Sequence, residues 1–301
     1  MLRRDRSLHA MWEDARIIAT VVANVGIRAK VQERLMQLGC NSILFGSVDL
    51  QTALQHIAWA GYRYVELAAV QGMCEHVGPD LSPDERAALR KTLTEHELEA
   101  TAMEAATTDR ERLVRLFELA ADLHIPLVNI GSGGKTGDEA STEQAIKHIA
   151  TLARLAAEHG VRLAVKPHVG QAIFDGSTAL RLMDEVREPA LGLNFDPSHL
   201  FRAGEEPQEV ARRWSGKIIT SHFRDCASRE QRVGPPETQI PGRGIVDLPA
   251  TLRALHETGY DGPLNLEVIG VGSYTLSRAM GIAAESRGYL NRCLQEIGAG
   301  Q

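Results

Sequence analysis

From Asn41 onward the hydrophobic and polar positions follow one repeated pattern. A short apolar run comes first, then a stretch with helical spacing, then the next apolar run. The apolar runs at 42–45, 62–67, 98–103, 126–130, 161–165, 191–195, 217–221 and 263–268 predict eight strands. The helices between them carry recognisable starts and stops. Asp49 can cap a helix bearing Leu54, Ile57 and Ala58, which Gly61 ends. Ser82-Pro83-Asp84-Glu85 places a capping serine, a first-turn proline and two acids at the positive end of a helix dipole. Asp109 opens a helix with Leu113, Leu116, Phe117 and Ala120. Further helices are predicted at 141–159, 177–186, 207–213, 247–257 and 274–297. Short buried strands separated by helices pair in parallel through right-handed crossovers. The count of eight predicts an α/β protein of the closed (β/α)8 TIM-barrel type. An open sheet with a dinucleotide site is disfavoured, because no G-x-G-x-x-G follows the first run.

The first forty residues read differently. Ile18, Val22 and Val25 recur at helical spacing, Gly26 interrupts, and Val31, Leu35 and Leu38 continue to a capping Gly39. The expectation is an N-terminal helical extension at 1–40 and a catalytic barrel domain at 41–301; a disordered leader or an upstream start codon is the alternative. Arg3, Arg4 and Arg6 ahead of the apolar run 17–27 resemble an export signal, but Glu13 and Asp14 precede the run and no A-x-A site follows. A cytoplasmic protein is expected.

Composition narrows the partners. The 301 residues include 33 Lys and Arg against 39 Asp and Glu, a net charge of −6 that opposes binding to a phosphate backbone. The four cysteines are far apart, which disfavours a disulfide framework or a thiolate zinc site. No apolar run reaches the ~20 residues of a membrane span.

The candidate chemistry lies at strand ends, where a parallel barrel places its active site. The fifth predicted strand runs into Lys166-Pro167-His168 and the sixth into Asp196-Pro197-Ser198-His199. The seventh runs into His222-Phe223-Arg224-Asp225, and the eighth contains Glu267. Taken singly, an Asp after a strand is most often a helix cap and a Glu in a strand an ion-pair partner. Three such residues on consecutive strands predict that Asp196, His222 and Glu267 converge on one mouth. Two carboxylates and an imidazole suit Mn²⁺, Mg²⁺, Zn²⁺ or Co²⁺.

These segments resemble the xylose-isomerase-like TIM-barrel superfamily, which includes sugar phosphate isomerases and epimerases and the endonuclease IV group. The resemblance covers residues 41 to about 297. It rests on Asn194-Phe195-Asp196-Pro197-Ser198-His199, His222-Phe223-Arg224-Asp225, Gly242-Arg243-Gly244-Ile245-Val246-Asp247 and Gly262-Pro263-Leu264-Asn265-Leu266-Glu267. It implies one divalent ion held by Glu, Asp, His and Glu from strands five to eight; the matching positions here are Lys166, Asp196, His222 and Glu267. Lys166 departs from the pattern, since an ammonium repels a cation and offers it no lone pair. It either neutralises Asp196 and Glu267 in the ion's place or acts as a lysine of depressed pKa. His168, of the same strand parity, is a candidate replacement ligand.

The resemblance further implies a small carbohydrate-like substrate and a homo-oligomeric enzyme that binds neither nucleic acid nor membrane. The reaction implied is isomerisation or epimerisation by proton abstraction next to a carbonyl, with Glu267 and Lys166 as catalytic groups. The alternatives are a lyase or dehydratase of the same fold and a metal-poor accessory barrel without catalysis. His168, His199, Arg224, Glu66 and His76 are the expected substrate contacts. An endonuclease IV-like activity is disfavoured, because the loop 226–243 has no histidine to complete that group's D-x-H pair.

Overall fold

The computed structural model describes residues 35–230 and 232–300. Eight parallel strands form its centre: β1 (Gln37–Asn41), β2 (Tyr64–Val70), β4 (Glu99–Glu104), β5 (Leu127–Ile130), β6 (Arg162–Val165), β7 (Leu191–Phe195), β8 (Ile218–Phe223) and β9 (Pro263–Leu266). Each pairs with its neighbour in that order, and β1 pairs with both β9 and β2, so the sheet closes. A two-residue strand, β3 (Cys74–Glu75), folds back antiparallel on the end of β2.

The helices outside the barrel are α1 (Leu50–Trp59), α2 (Pro83–Glu95), α3 (Arg110–Asp122), α4 (Glu139–Glu158), α5 (Gly176–Glu185), α6 (Pro197–Arg202), α7 (Pro207–Arg213), α8 (Pro236–Gln239), α9 (Leu248–Glu257) and α10 (Leu276–Glu296). Their starts follow the side chains read from the sequence. Asp49 accepts from the Thr52 amide, and Asp109 from the Arg112 amide. Ser82 and Glu85 form a full capping box at α2. The main core lies between sheet and helices, with Leu54, Phe117, Leu152, Leu193 and Leu252 fully buried in it. No helix among the described residues is long and apolar enough to cross a membrane.

The first strand corrects the sequence reading. It is Gln37–Asn41, while Ser42–Phe45, expected as the strand, forms a 3₁₀ turn. Met36, Leu38 and Cys40 are buried at every second position, so the period here is two. Val31, Leu35 and Leu38 also satisfied a helical period, and the two patterns overlap. Asn41 starts the turn by accepting from the Ile43 amide at 2.9 Å. All four residues of the turn are buried, which explains the apolar run without a strand. Gly39 is no helix cap: it is paired within β1, and a Cβ there would collide with the Asn265 side chain and crowd Tyr64. Ile18, Val22, Val25 and Val31 lie outside the described residues, as does the run 17–27.

The bore is layered by strand parity. Ala102, Leu127 and Ala164 pack together inside it with Ile219. Two residues further along β4, β5 and β6 stand Glu104, Asn129 and Lys166. A two-residue step returns to the same face of a strand, so an apolar plug lies beneath a polar layer.

Candidate active site

All eight barrel strands feed this polar layer. Asn41, Glu66, Glu104, Asn129 and His222 lie on β1, β2, β4, β5 and β8, while Lys166, Asp196 and Glu267 follow β6, β7 and β9 directly. A register shift at Val65/Glu66 interrupts the β2–β4 ladder where Glu66 enters the bore. Asn41 Nδ2 donates to Glu66 Oε2 at 2.8 Å and to Glu104 Oε2 at 2.6 Å. Asn129 Nδ2 donates to the other oxygen of Glu66. Glu66 Oε2 also meets His222 Nε2 at 2.6 Å, which assigns that nitrogen a proton.

Lys166 is the centre of the layer. Its Nζ lies 2.8 Å from Glu267 Oε1, 3.2 Å from Glu104 Oε1 and 3.0 Å from His222 Nδ1. An ammonium has three hydrogens, and these three acceptors use them all. Burial opposes the charge on Lys166, but Glu104, Glu267 and Asp196 outweigh it and hold the amine firmly protonated. Burial likewise opposes an imidazolium at His222, yet the facing Glu66 pushes the ring up to about 10. The 3.0 Å line between Nζ and Nδ1 has room for one hydrogen, so Lys166 opposes the imidazolium that Glu66 favours.

The two carboxylates on Lys166 are driven apart. Burial raises Glu104 to about 7 in spite of the lysine. Burial also works to raise Glu267, but Arg224, Lys166 and His222 together hold it well below the usual carboxylate range.

Arg224 closes the other side. Its Nη1 lies 3.0 Å from Glu267 Oε2 and its Nη2 3.3 Å from Asp196 Oδ2. Its Nε donates to Ser198 Oγ at 3.0 Å, and Nη2 meets His199 Nε2 at 2.8 Å. Asp196 uses its other oxygen to cap α6, accepting from the Ser198 and His199 amides. The ring of His199 packs 3.9 Å from that of His168, centroid to centroid. Burial and Lys166 lower His168 to about 4, and burial and Arg224 lower His199 well below its usual value, so both rings are neutral at pH 7. His168 Nδ1 lies 2.8 Å from the Val169 carbonyl oxygen and donates to it, leaving Nε2 as the acceptor.

A cavity of about 120 Å³ opens above this layer. Glu104, Lys166, His168, Arg224 and Glu267 line its polar side, and Ile43, Val70, Met73 and Ile269 its apolar side. Met73 is 61% exposed at the turn between β2 and β3, so it stands at the entrance.

The structure brings together Lys166, Asp196, His222, Glu267, Glu66, His199 and Arg224. Arg224 and His199 are both buried, and of the two Arg224 lines the cavity. His76 does not join them: its Nδ1 meets Ser42 Oγ and its Nε2 the Val48 carbonyl, each at 3.0 Å, and it faces α1 and α2. Glu104, Asn41 and Asn129 escaped the sequence reading. Glu104 carried a usable signal, an acid directly after the apolar run 98–103.

Residues 54–293 match the family profile described as xylose isomerase-like TIM barrel, and the chain belongs to that family. Among named relatives, the inosose dehydratase of Lacticaseibacillus casei is 28% identical over 126 residues, which is 37% of this chain and 42% of that protein. The rhizopine catabolism protein MocC of Rhizobium meliloti is 32% identical over 133 residues, covering 40% and 41% respectively. The chain thus spans about two fifths of the length of these curated relatives. A solved structure titled as IOLI protein with a binding zinc atom superposes with a TM-score of 0.70 at 20% identity, covering 84% of this chain and 99% of that one. At that identity the likeness speaks for the fold alone.

The donor atoms of Asp196, His222 and Glu267 lie within 4.8 Å of one another, as do those of Glu66, Glu104 and His222. Both sets are metal-ligating by chemistry. As arranged, however, they do not fit a divalent ion. The Lys166 ammonium touches Glu267, His222 and Glu104, and Arg224 faces Asp196 and Glu267. A divalent ion about 4 Å from the ammonium would be repelled by about 8 kcal/mol at an effective dielectric of 20.

Proposed function

We propose that the chain is a dehydratase-type lyase acting on a polyhydroxylated ketone of the inosose class. The observation that carries this reading is the pair Glu104 and Glu267. Both line the cavity, both hold the same ammonium, and their acidities are driven in opposite directions. Two carboxylates tuned apart are an acid and a base. The names of the relatives favour this alternative over an isomerase or epimerase.

Glu267, held ionised, removes the proton on the carbon next to the ketone. Negative charge then builds on the ketone oxygen, and Lys166 stabilises it with an N–H turned from Glu104. Glu104, holding a proton in much of the population near pH 7, gives it to the departing β-hydroxyl. One water leaves, the carbon–carbon double bond forms, and the ketone is restored. Arg224 keeps Glu267 ionised and holds Asp196 beside it. The apolar side at Ile43, Val70 and Ile269 excludes water from the enolate.

The test is to incubate the protein with a panel of inososes and ketoses and weigh the products. The expected product is the substrate less one water, and Glu267→Ala and Glu104→Gln each reduce its rate at least ~100-fold. A product of unchanged mass identifies an isomerase or epimerase instead.

A second reading is a weakly held divalent ion, Mn²⁺, Mg²⁺, Co²⁺ or Zn²⁺, at Asp196, His222 and Glu267. Asp196 Oδ2 and Glu267 Oε2 are the atoms that favour it, being buried with the Arg224 guanidinium as their ion-pair partner and no hydrogen bond. It requires the Lys166 ammonium to leave its three acceptors.

A further inference from the structure

We propose that the Lys166 ammonium, backed by Arg224, stands in the place of a divalent ion, so that this barrel carries its own cation. Three features of the site support this. First, Nζ is held as a central ion is held. Its stem enters from the end of β6, and its contacts come from Glu104 on β4, His222 on β8 and Glu267 after β9, at 3.2, 3.0 and 2.8 Å. Two of these, His222 and Glu267, belong to the converging donor set.

Second, the remaining donor oxygens of that set already face a cation. Arg224 spans Glu267 Oε2 at 3.0 Å and Asp196 Oδ2 at 3.3 Å. With lysine on one side of Glu267 and arginine on the other, neither carboxylate oxygen is free for a metal.

Third, the charges nearly close. Asp196, Glu267 and Glu104 face Lys166 and Arg224, while Glu66 is paired with His222. An added divalent ion would turn a nearly balanced buried cluster positive, which a low-dielectric interior opposes. The ligand chemistry follows. A fixed ammonium suits one developing oxyanion and gives no second open position for bidentate chelation of neighbouring hydroxyls. This assignment extends the reading above to the identity of its electrophile, and its test reads metal binding and not turnover, so the two fail separately.

The chelator-treated 301-residue chain and its Lys166→Met variant are titrated with MnCl₂, by calorimetry and by the shift in thermal midpoint. Methionine keeps the length of the stem and removes the charge. The expected result is no saturable Mn²⁺ binding and no shift for wild type. The variant binds one Mn²⁺ saturably, at least about tenfold more tightly than the weakest binding the titration detects, and gains a raised midpoint. Because added Mn²⁺ would itself stabilise a loosened variant, the midpoint remains readable if the substitution weakens the fold. Lys166→Glu, which adds a carboxylate at the same place, binds tighter still. Saturable one-to-one Mn²⁺ binding by wild type overturns the proposal. So does the absence of any gain in both variants, which would show that the lysine is not what fills the ion's place.

Discussion

Lys166 Nζ and Glu267 Oε1 meet at 2.8 Å across the barrel mouth, from side chains 101 positions apart in the chain. Only closure of the barrel joins them, so the ion pair reports that the fold is complete. It also fixes the ionisation of the mouth. A carboxylate touching both an ammonium and a guanidinium stays charged, so the proton that the resting mouth holds near neutrality sits on Glu104.

The rate should therefore depend on pH through Glu104. Burial raises this carboxyl to about 7, and the mechanism needs its proton, while Glu267 is held ionised well below the usual range. Turnover is expected to be level in mildly acidic solution and to fall about tenfold per pH unit above pH ~7. In Glu104→Gln the residual rate should lose that alkaline limb. A rate that climbs through neutrality would contradict the assignment of Glu104 as the acid.

Stability should carry the same signature with its own sign. The folded Glu104 holds its proton to about 7 against a usual value of 4.5, so the native state binds more protons than the unfolded chain between those limits. Its contribution is neutral below pH 4.5, declines as pH rises to about 7, and stays low beyond. Relative to Glu104→Gln, wild type should lose on the order of 3 kcal/mol across that window. Urea unfolding at several pH values measures it, and a difference that does not vary with pH would refute it.

Gly39→Ala should destabilise the barrel by about 1–3 kcal/mol, because the added methyl meets the Asn265 side chain and Tyr64 where β1 closes the sheet. Chemical denaturation reads this directly. A neutral result would mean that the closing strand has slack.

Ser82→Ala should cost about 1 kcal/mol by removing the capping box of α2, which lies outside the site. Turnover per folded molecule should be unchanged. This variant serves as the control for stability loss without change in chemistry.

Much of the barrel was legible because its signals are local. β7 and α7 lie at the bounds read from sequence, one an apolar run between turn residues and the other opened by Pro207. Asp196, His222 and Glu267 stood out because ionisable residues interrupt buried runs at the strand ends. β1 was misread because Leu38 belongs both to the helical series Val31, Leu35, Leu38 and to the alternating series Met36, Leu38, Cys40, and only pairing with β2 and β9 selects the strand. His76 was misplaced because a loop residue two past Cys74 has no pattern to orient it; its partners Ser42 and Val48 lie in another segment. Glu104 was overlooked for a different reason. It ends the apolar run of β4 as Glu267 ends that of β9, so the strand end carries the same signal, but with no histidine or Asp-Pro beside it to draw the eye. The sharing of one ammonium by Glu104 and Glu267 depends on distances that no spacing in the chain encodes.

Each barrel strand gives one side chain to the polar layer, from Asn41 on β1 to Glu267 after β9. Successive strand residues point to opposite faces, so a slip of one position would turn that strand's contributor out of the bore. The slipped strand would leave buried partners unsatisfied on two neighbours at once, a loss that apolar packing alone would not register so sharply. The polar layer thus also proofreads assembly. A chain that closes out of step cannot complete its charge network, and mispaired barrels are selected against by the same residues that line the candidate site.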